Sequence, residues 1–279
     1  MESLGRTELR TRSLLLCTTG SEHRDKDVMA ALYDRIGKTY SGRRQSDPRI
    51  VVAINKALSD CKSVLNVGAG TGSYEPPELD VVAVEPSQTM IDQRPPGAAR
   101  CVQGSAESLP FSDGSFDAVM GVMTVHHWSD LRRGLAECKR VARKKVVFLT
   151  TDMDVFGQFW LMDYFPALID IDRKGFPPMK VFAEVFGEVA ITNVPIPADC
   201  IDGFLGAYWR RPDAYLDPTV RASISTFAKL ADVDAGLATL QDDLRSGAWD
   251  RKYRSLRQQD DLDLGYRLIV APVRSNTRE

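Results

Sequence analysis

An open α/β sheet, mostly parallel and wound with helices on both faces, is the fold class that three observations predict. Five short apolar runs rich in β-branched residues follow one another from Lys62: SVLNV, DVVAVE, ARCVQG, FDAVMGV and KKVVFLT. Apolar at almost every position, they suit strands buried on both faces of a parallel sheet. Helical spacing recurs between them, most clearly in LRRGLAECKRV (131–141) behind a Ser129-Asp130 cap, and such alternation builds right-handed βαβ units. A glycine-rich turn, GAGTG (68–72), directly follows the first run.

The bulk properties bound the setting. The 279 residues are 43% hydrophobic and 27% charged, an ordinary globular composition and enough chain for one large domain carrying an insertion. A net charge of −2 offers no electrostatic footprint for nucleic acid or an anionic membrane. The early run Ser13 to Cys17 is too short for a signal peptide's apolar segment or a membrane span. Five cysteines stand far apart without a C-x-x-C, so neither a disulfide frame nor a zinc site is expected. A reduced, soluble, cytoplasmic protein without a metal is the resulting expectation.

Taken in order, residues 1–26 are polar and aperiodic and read as a mobile tail. VMAALYDRIGKTY (28–40) has helical spacing broken by Ser41-Gly42, and Pro48 opens a second helix, RIVVAINKAL, that Ser59-Asp60 ends. Together, 27–60 read as a helical lid. The sheet occupies 61–196. Two of its crossovers are abbreviated: SYEPPEL alone separates Gly72 from Asp80, and its double proline forbids a helix interior. The helix after Pro86 can hardly pass Arg94, because RPPG follows. One sheet face is thus thinly covered, and the N-terminal helices or a second subunit of a homo-oligomer should cover it. Beyond Thr150, FGQFWLMDYFPALIDI reads as an aromatic helical stretch and EVAITNVPI as a sixth strand. A helical cap without strands follows over 197–261, and GYRLIVAPV, within 262–274, closes a seven-stranded sheet as its antiparallel last strand.

Ligands of such sheets bind beyond the carboxyl ends of the strands, where strand order reverses. Gly68, Gly70 and Gly72, with Ala69 between them, permit close backbone approach just past Val67. Glu85 ends the next run, seventeen residues after Gly68, where its carboxylate can accept from both hydroxyls of a ribose. A dinucleotide fingerprint requires G-x-G-x-x-G with a helix N-terminus for pyrophosphate. Here Ser73 holds the third glycine's place and Pro76-Pro77 breaks the helix. The loop therefore suits S-adenosylmethionine, which has no phosphate. A nicotinamide oxidoreductase on the same sheet, or a donor-binding protein without transfer activity, are the alternative readings.

The segments VLNVGAGTG, VAVEPSQTMI, QGSAESLPFSDGSFDAV and VHHWSDLRRGLAECKRV resemble the class I S-adenosylmethionine-dependent methyltransferases, Rossmann-like enzymes. The likeness is to their bacterial small-molecule group, which includes ubiquinone and menaquinone C-methyltransferases. It covers about a third of the chain and departs from the family's pattern in the short helix after the glycine loop and in the missing glycine pair after KRVARKK. The resemblance implies that S-adenosyl-L-methionine is the cofactor and S-adenosyl-L-homocysteine the product. It places Gly68, Gly70 and Gly72 at the methionine part and Glu85 at the ribose. Pro86, Ser87 and Met90 fall beside the adenine, Ser105, Ala106 and Glu107 at its edge, and Gly121 and Val122 near the sulfonium. Tyr33 and Tyr40 resemble lid residues.

The expected reaction is methyl transfer to oxygen, nitrogen or carbon of a small, largely apolar metabolite, with secondary metabolism as the setting. Methyl transfer needs a base only where the acceptor must lose a proton. The pair His126-His127, just past the fourth strand, is the candidate, since imidazole titrates near neutrality. Trp128 reads as a wall of the same pocket. Two aromatic segments supply the remaining acceptor candidates: Trp160 and Tyr164 from the first, Tyr208 and Trp209 from the second, alongside Phe156, Phe159 and Phe204. Asp202 could orient a polar group, and Asp199 reads as a helix cap.

Overall fold

The computed structural model describes residues 44–273; the expected tail, the first lid helix, Tyr33 and Tyr40 lie outside them. Strands β1 (Ser63–Val67), β2 (Asp80–Glu85), β3 (Arg100–Gln103), β4 (Phe116–Val122), β5 (Ala142–Thr151), β6 (Ala190–Asn193) and β9 (Tyr266–Pro272) form one seven-stranded sheet. Its order is β3-β2-β1-β4-β5-β9-β6, with β1 to β5 parallel and β9 antiparallel to both its neighbours. Order reverses between β1 and β4, so their carboxyl ends flank the crevice where such sheets take ligands.

Both faces of the central strands β1 and β4 are dry, as runs apolar at almost every position require, whereas edge strand β6 is exposed. Helix α1 (Pro48–Ala57) starts with proline at its first turn and an Asp47 cap whose side chain accepts from Arg49 N–H. Ile50, Ile54 and Leu58, spaced by four, pack in one cluster with Val64, Ala118, Met120, Val147 and Leu149. On the other face Leu135, Cys138 and Val141 of α3 (Leu131–Val141) cover Leu65, Val67, Val119 and Phe148; α2 is the short helix Gln88–Asp92.

Between β1 and β2 the chain makes only turns, as the double proline dictates. The face left thin by that shortcut is covered by α1 and by Tyr74, buried in the same cluster. Tyr74 sits at φ +64°, and its hydroxyl donates to Asp202 Oδ2 at 2.8 Å.

Three elements differ from expectation. The aromatic stretch after Thr150 breaks into α4 (Met153–Phe156), a 3-10 turn (Trp160–Asp163) and α5 (Ala167–Gly175); the break before α5 falls at Pro166, which removes a donor and restricts its predecessor. Helix α6 (Lys180–Phe186), unforeseen, adds Phe182 and Phe186 to the core over β5. EVAITNVPI divides into β6 and β7 (Ile196–Pro197). The latter pairs with β8 (Asp261–Leu262), so the segment expected to hold no strand ends in one. The remainder of that segment contains α7 (Pro218–Ala222), α8 (Asp234–Ser246), α9 (Ala248–Lys252) and short 3-10 turns. They gather around Trp209, Tyr215 and Trp249, all fully buried. Among the described residues no helix is long and apolar enough to cross a membrane.

Candidate active site

The glycine turn leaves β1 at the reversal point. Gly68, Gly70 and Gly72 take φ of 69°, 53° and 96°, backbone that a Cβ disfavours. At Gly68 the demand is steric too, since a Cβ there would stand 1.8 Å from Thr124 Oγ1. The N–H groups of Gly68 and Ala69 donate to Val84 O at 2.8 and 3.1 Å, tying the turn to β2. Gly121 is pressed less severely: its Cβ would lie 3.0 Å from Phe148 and from Thr124. Next to it, Val122 is half-buried at the end of β4.

Glu85, buried at the end of β2, accepts Gly70 N–H on Oε2 (2.8 Å) and Ser87 N–H on Oε1 (2.9 Å). A carboxylate offers about four lone-pair sites, so room remains for two further donors such as the adjacent hydroxyls of a ribose. Burial pushes the carboxyl up from its ordinary range, while the two N–H groups and Arg94 pull the other way. Ser87 caps α2, its Oγ accepting Met90 N–H. Met90 is buried with its methyl 3.3 Å from where a Cβ of Gly70 would stand. Pro86 is exposed, and its carbonyl accepts from Gln103.

Beneath the turn lies a pair that sequence reasoning missed. Arg94 donates to Gly70 O (3.2 Å) and to both oxygens of Glu75 (2.8 and 2.7 Å), and Glu75 also accepts from Asn66 (3.0 Å). The Arg94 and Glu75 side chains are 5% and 10% exposed. Nineteen positions separate them, so no local pattern could have joined the arginine of RPPG to the acid of the double-proline turn.

Two expectations around the donor site are corrected. Glu107 is engaged at the start of α3, where its Oε1 accepts Ser129 N–H, Ser129 O–H and Asp130 N–H (2.7, 2.7 and 3.2 Å). Burial opposes its charge, yet these donors and Ser105 outweigh that and hold the carboxyl below the usual range. Glu107 therefore pins the start of α3, leaving half-buried Ser105 and buried Ala106 as the residues of this segment free to border a ligand. Trp128, expected as a wall beside the histidines, does not line the cavity that carries them; it packs edge-on to Phe148 on the α3 side of the sheet, over Gly134.

From Thr124, against Gly68, the chain enters a 3-10 turn (Val125–His127) that carries both histidines to a cavity under the cap. The cavity holds about 60 Å³ of free room and opens into about 610 Å³ of space that includes solvent. Met123, Met153, Phe156, Phe176, Phe204 and Tyr266 give it apolar walls, and His126, His127, Asp172 and Thr226 are among its polar groups. The two aromatic segments thus converge here through Phe156 and Phe204. Phe176 stacks on His126, ring centres 4.0 Å apart. Burial drives both imidazoles well below their ordinary range, His127 to about 3, with Lys229 and Arg44 acting in the same direction. Both are neutral at physiological pH and weak as bases.

The other acceptor candidates lie elsewhere. Trp160 and Trp209 are buried cap core, Trp160 Nε1 donating to Trp209 O (2.8 Å) and Trp209 Nε1 to Ile196 O (2.9 Å). Tyr164 donates to Asp243 (2.7 Å), and Tyr208 lies edge-on to Tyr215 beneath Arg211. Asp202 lines a smaller cleft with Tyr74 and Met123, but Arg44 (2.6 Å) and the Tyr74 hydroxyl engage its two oxygens. Asp199 caps no helix and forms an exposed ion pair with Arg49. Aromatic spacing alone could not separate cap core from cavity wall.

Asp172 is the cavity residue that sequence reasoning passed over. It shares the inward face of α5 with Leu168, one turn earlier, and its Oδ1 accepts the Thr226 hydroxyl at 2.9 Å. Desolvation raises its pKa to about 6 against the opposing pull of Thr226 and Lys229. A lone acid on an apolar helical face was the available signal.

A family model described as a methyltransferase domain matches residues 65–150. A demethylmenaquinone methyltransferase of Renibacterium salmoninarum is 31% identical over 164 residues, 51% of this chain and 69% of that protein. The uncharacterised methyltransferase YcgJ of Bacillus subtilis is 32% identical over 108 residues, 34% of this chain. This chain spans 43% of YcgJ and 50% of an uncharacterised mycobacterial methyltransferase, about half the length of such curated relatives. A crystal structure from Anabaena variabilis, named for a methyltransferase of an antibiotic biosynthesis pathway, superposes with a TM-score of 0.77. Its identity is 36%, over 82% of this chain and 98% of that one.

Proposed function

The chain belongs to the S-adenosylmethionine-dependent methyltransferases, and from that membership we propose that the glycine turn and Glu85 hold the methyl donor while the cavity past His126 holds a small, largely apolar acceptor. The observation that carries this reading is the Glu85 carboxylate. It is buried at the end of β2, bracketed by Gly70 and Ser87 N–H, and keeps lone pairs for two hydroxyls. No helix follows the turn to receive a pyrophosphate, which supports a donor without phosphate.

When bound, S-adenosylmethionine supplies a methyl group already activated on a sulfonium. The work left to this chain is positioning and exclusion of water. Glu85 and the Gly70 amide orient the ribose, Met90 and Ala106 border the base, and Thr124 and Gly121 close the floor between donor and acceptor. Phe156, Phe176, Phe204 and Tyr266 favour a flat apolar acceptor body by its removal from water. The neutral histidines serve as walls and hydrogen-bonding groups. Secondary metabolism is the setting we infer, supported by the extensive likeness to the Anabaena protein.

Replacing Glu85 with alanine is expected to weaken donor binding, measured by calorimetry, by about 1.5–3 kcal/mol, the usual worth of hydrogen bonds to a charged group. Unchanged affinity would remove Glu85 from the site.

A further inference from the structure

Resting on the methyl-transfer reading, we propose that Asp172 is the base of this active site and that the acceptor is a flat, apolar compound methylated on a hydroxyl oxygen. Three observations meet at this carboxylate. It lines the cavity with His126, Met123 and Phe176, and it lies one helical turn before Gly175, whose Cβ position is 3.1 Å from the His126 carbonyl. Thr226 engages Oδ1, while no described residue hydrogen-bonds Oδ2. His126 Nδ1 is also buried without a hydrogen-bond partner among the described residues. A polar group of the acceptor would meet Asp172 Oδ2.

The charges facing this spot favour a hydroxyl over an amine. Lys229, from the 3-10 turn Phe227–Lys229, borders the same cavity and would repel a cationic acceptor, whereas Arg44, also on its border, is ion-paired with Asp202. His126 and His127 are neutral, and Tyr266, its pKa raised by burial, stays protonated. A neutral amine needs no base before it attacks, whereas a hydroxyl does. In the step, the O–H bond breaks, its proton passes to Asp172 Oδ2 and its electron pair stays on oxygen. A pair on that oxygen forms the O–CH3 bond as the S–CH3 bond breaks, and the electron pair of the S–CH3 bond remains on sulfur. The carboxylic acid then returns its proton to solvent.

The test offers the full chain S-adenosylmethionine with a deuterated methyl group and matched pairs of flat aromatic alcohols and amines, read by mass spectrometry. Label is expected on the oxygen of one or more alcohols and on no amine. With the best alcohol, wild-type kcat/KM should fall about tenfold per pH unit below about 6, the range to which Asp172 is raised. Asp172→Asn, which keeps the Thr226 bond, should lower kcat/KM at least about 100-fold at pH 7 and abolish that acid limb. His126→Gln should retain the limb. Label on nitrogen or carbon, no labelled alcohol, or an acid limb surviving in Asp172→Asn would each overturn the assignment. Calorimetry with S-adenosylmethionine separates the two readings. Wild type and Asp172→Asn should bind it equally, and a wild type that does not bind it fails the methyl-transfer reading rather than the role of Asp172.

Discussion

Asp172 carries a cost that can be measured without any acceptor. Its folded pKa of about 6 exceeds the ordinary 3.8, so between these values the folded state holds a proton that the unfolded state has lost. Stability from this group is therefore fully present below pH 3.8 and fades as pH rises through 6, by about 3 kcal/mol in all. Asp172→Asn lacks this titration. Relative to wild type it is expected to gain about that amount between pH 4 and pH 7 in urea unfolding; a pH-independent difference would place the carboxylate in water. Residues of this kind are where sequence reading falls short. The place of Glu85 beside the glycine turn was legible because it follows from one strand end and one spacing. Asp172 becomes distinctive only when α5, Thr226 and the His126 turn meet, and Glu107 is drawn to α3 by three donors at Ser129 and Asp130 that no local pattern announces.

The glycine turn is an element built by mutual exclusion with the end of β4. Gly68→Ala would combine positive φ, worth about 1–2 kcal/mol against a Cβ, with the contact at Thr124 Oγ1. We expect it to abolish measurable donor binding, and Gly68→Ala/Thr124→Ala to recover part of the lost stability. Strictly additive losses would show that the two residues do not press on each other. Arg94 supports the same turn from below. Arg94→Met should weaken donor binding and destabilise the fold by about 3–5 kcal/mol, because buried Glu75 loses its counter-ion. The strands and α3 were readable from periodicity, and the absent β1–β2 helix from two prolines. The split of 153–175 was not, because Pro166 acts against a run whose aromatic spacing suits a helix throughout.

Across the whole molecule, Asp202 joins three parts that the sequence keeps apart: Arg44 of the N-terminal segment, Tyr74 beyond the glycine turn and the opening of the cap. The carboxylate is 1% exposed and Arg44 12%, so Asp202→Ala strands a buried cation and should cost about 3–5 kcal/mol in urea unfolding. Cap and core would then be expected to loosen together. Overall architecture was accessible from the order of apolar runs, whereas this junction, spanning 158 positions, depends on the assembled fold.

The claim on which all else depends is that a side-chain-free bend and the acid beside it grip a nucleoside sulfonium without phosphate. Isothermal titration of the full chain with S-adenosylmethionine, and in parallel with NAD, tests it most directly. One site for S-adenosylmethionine, weakened by Glu85→Ala, and no heat with NAD is the expected result; uptake of NAD with indifference to S-adenosylmethionine would contradict it.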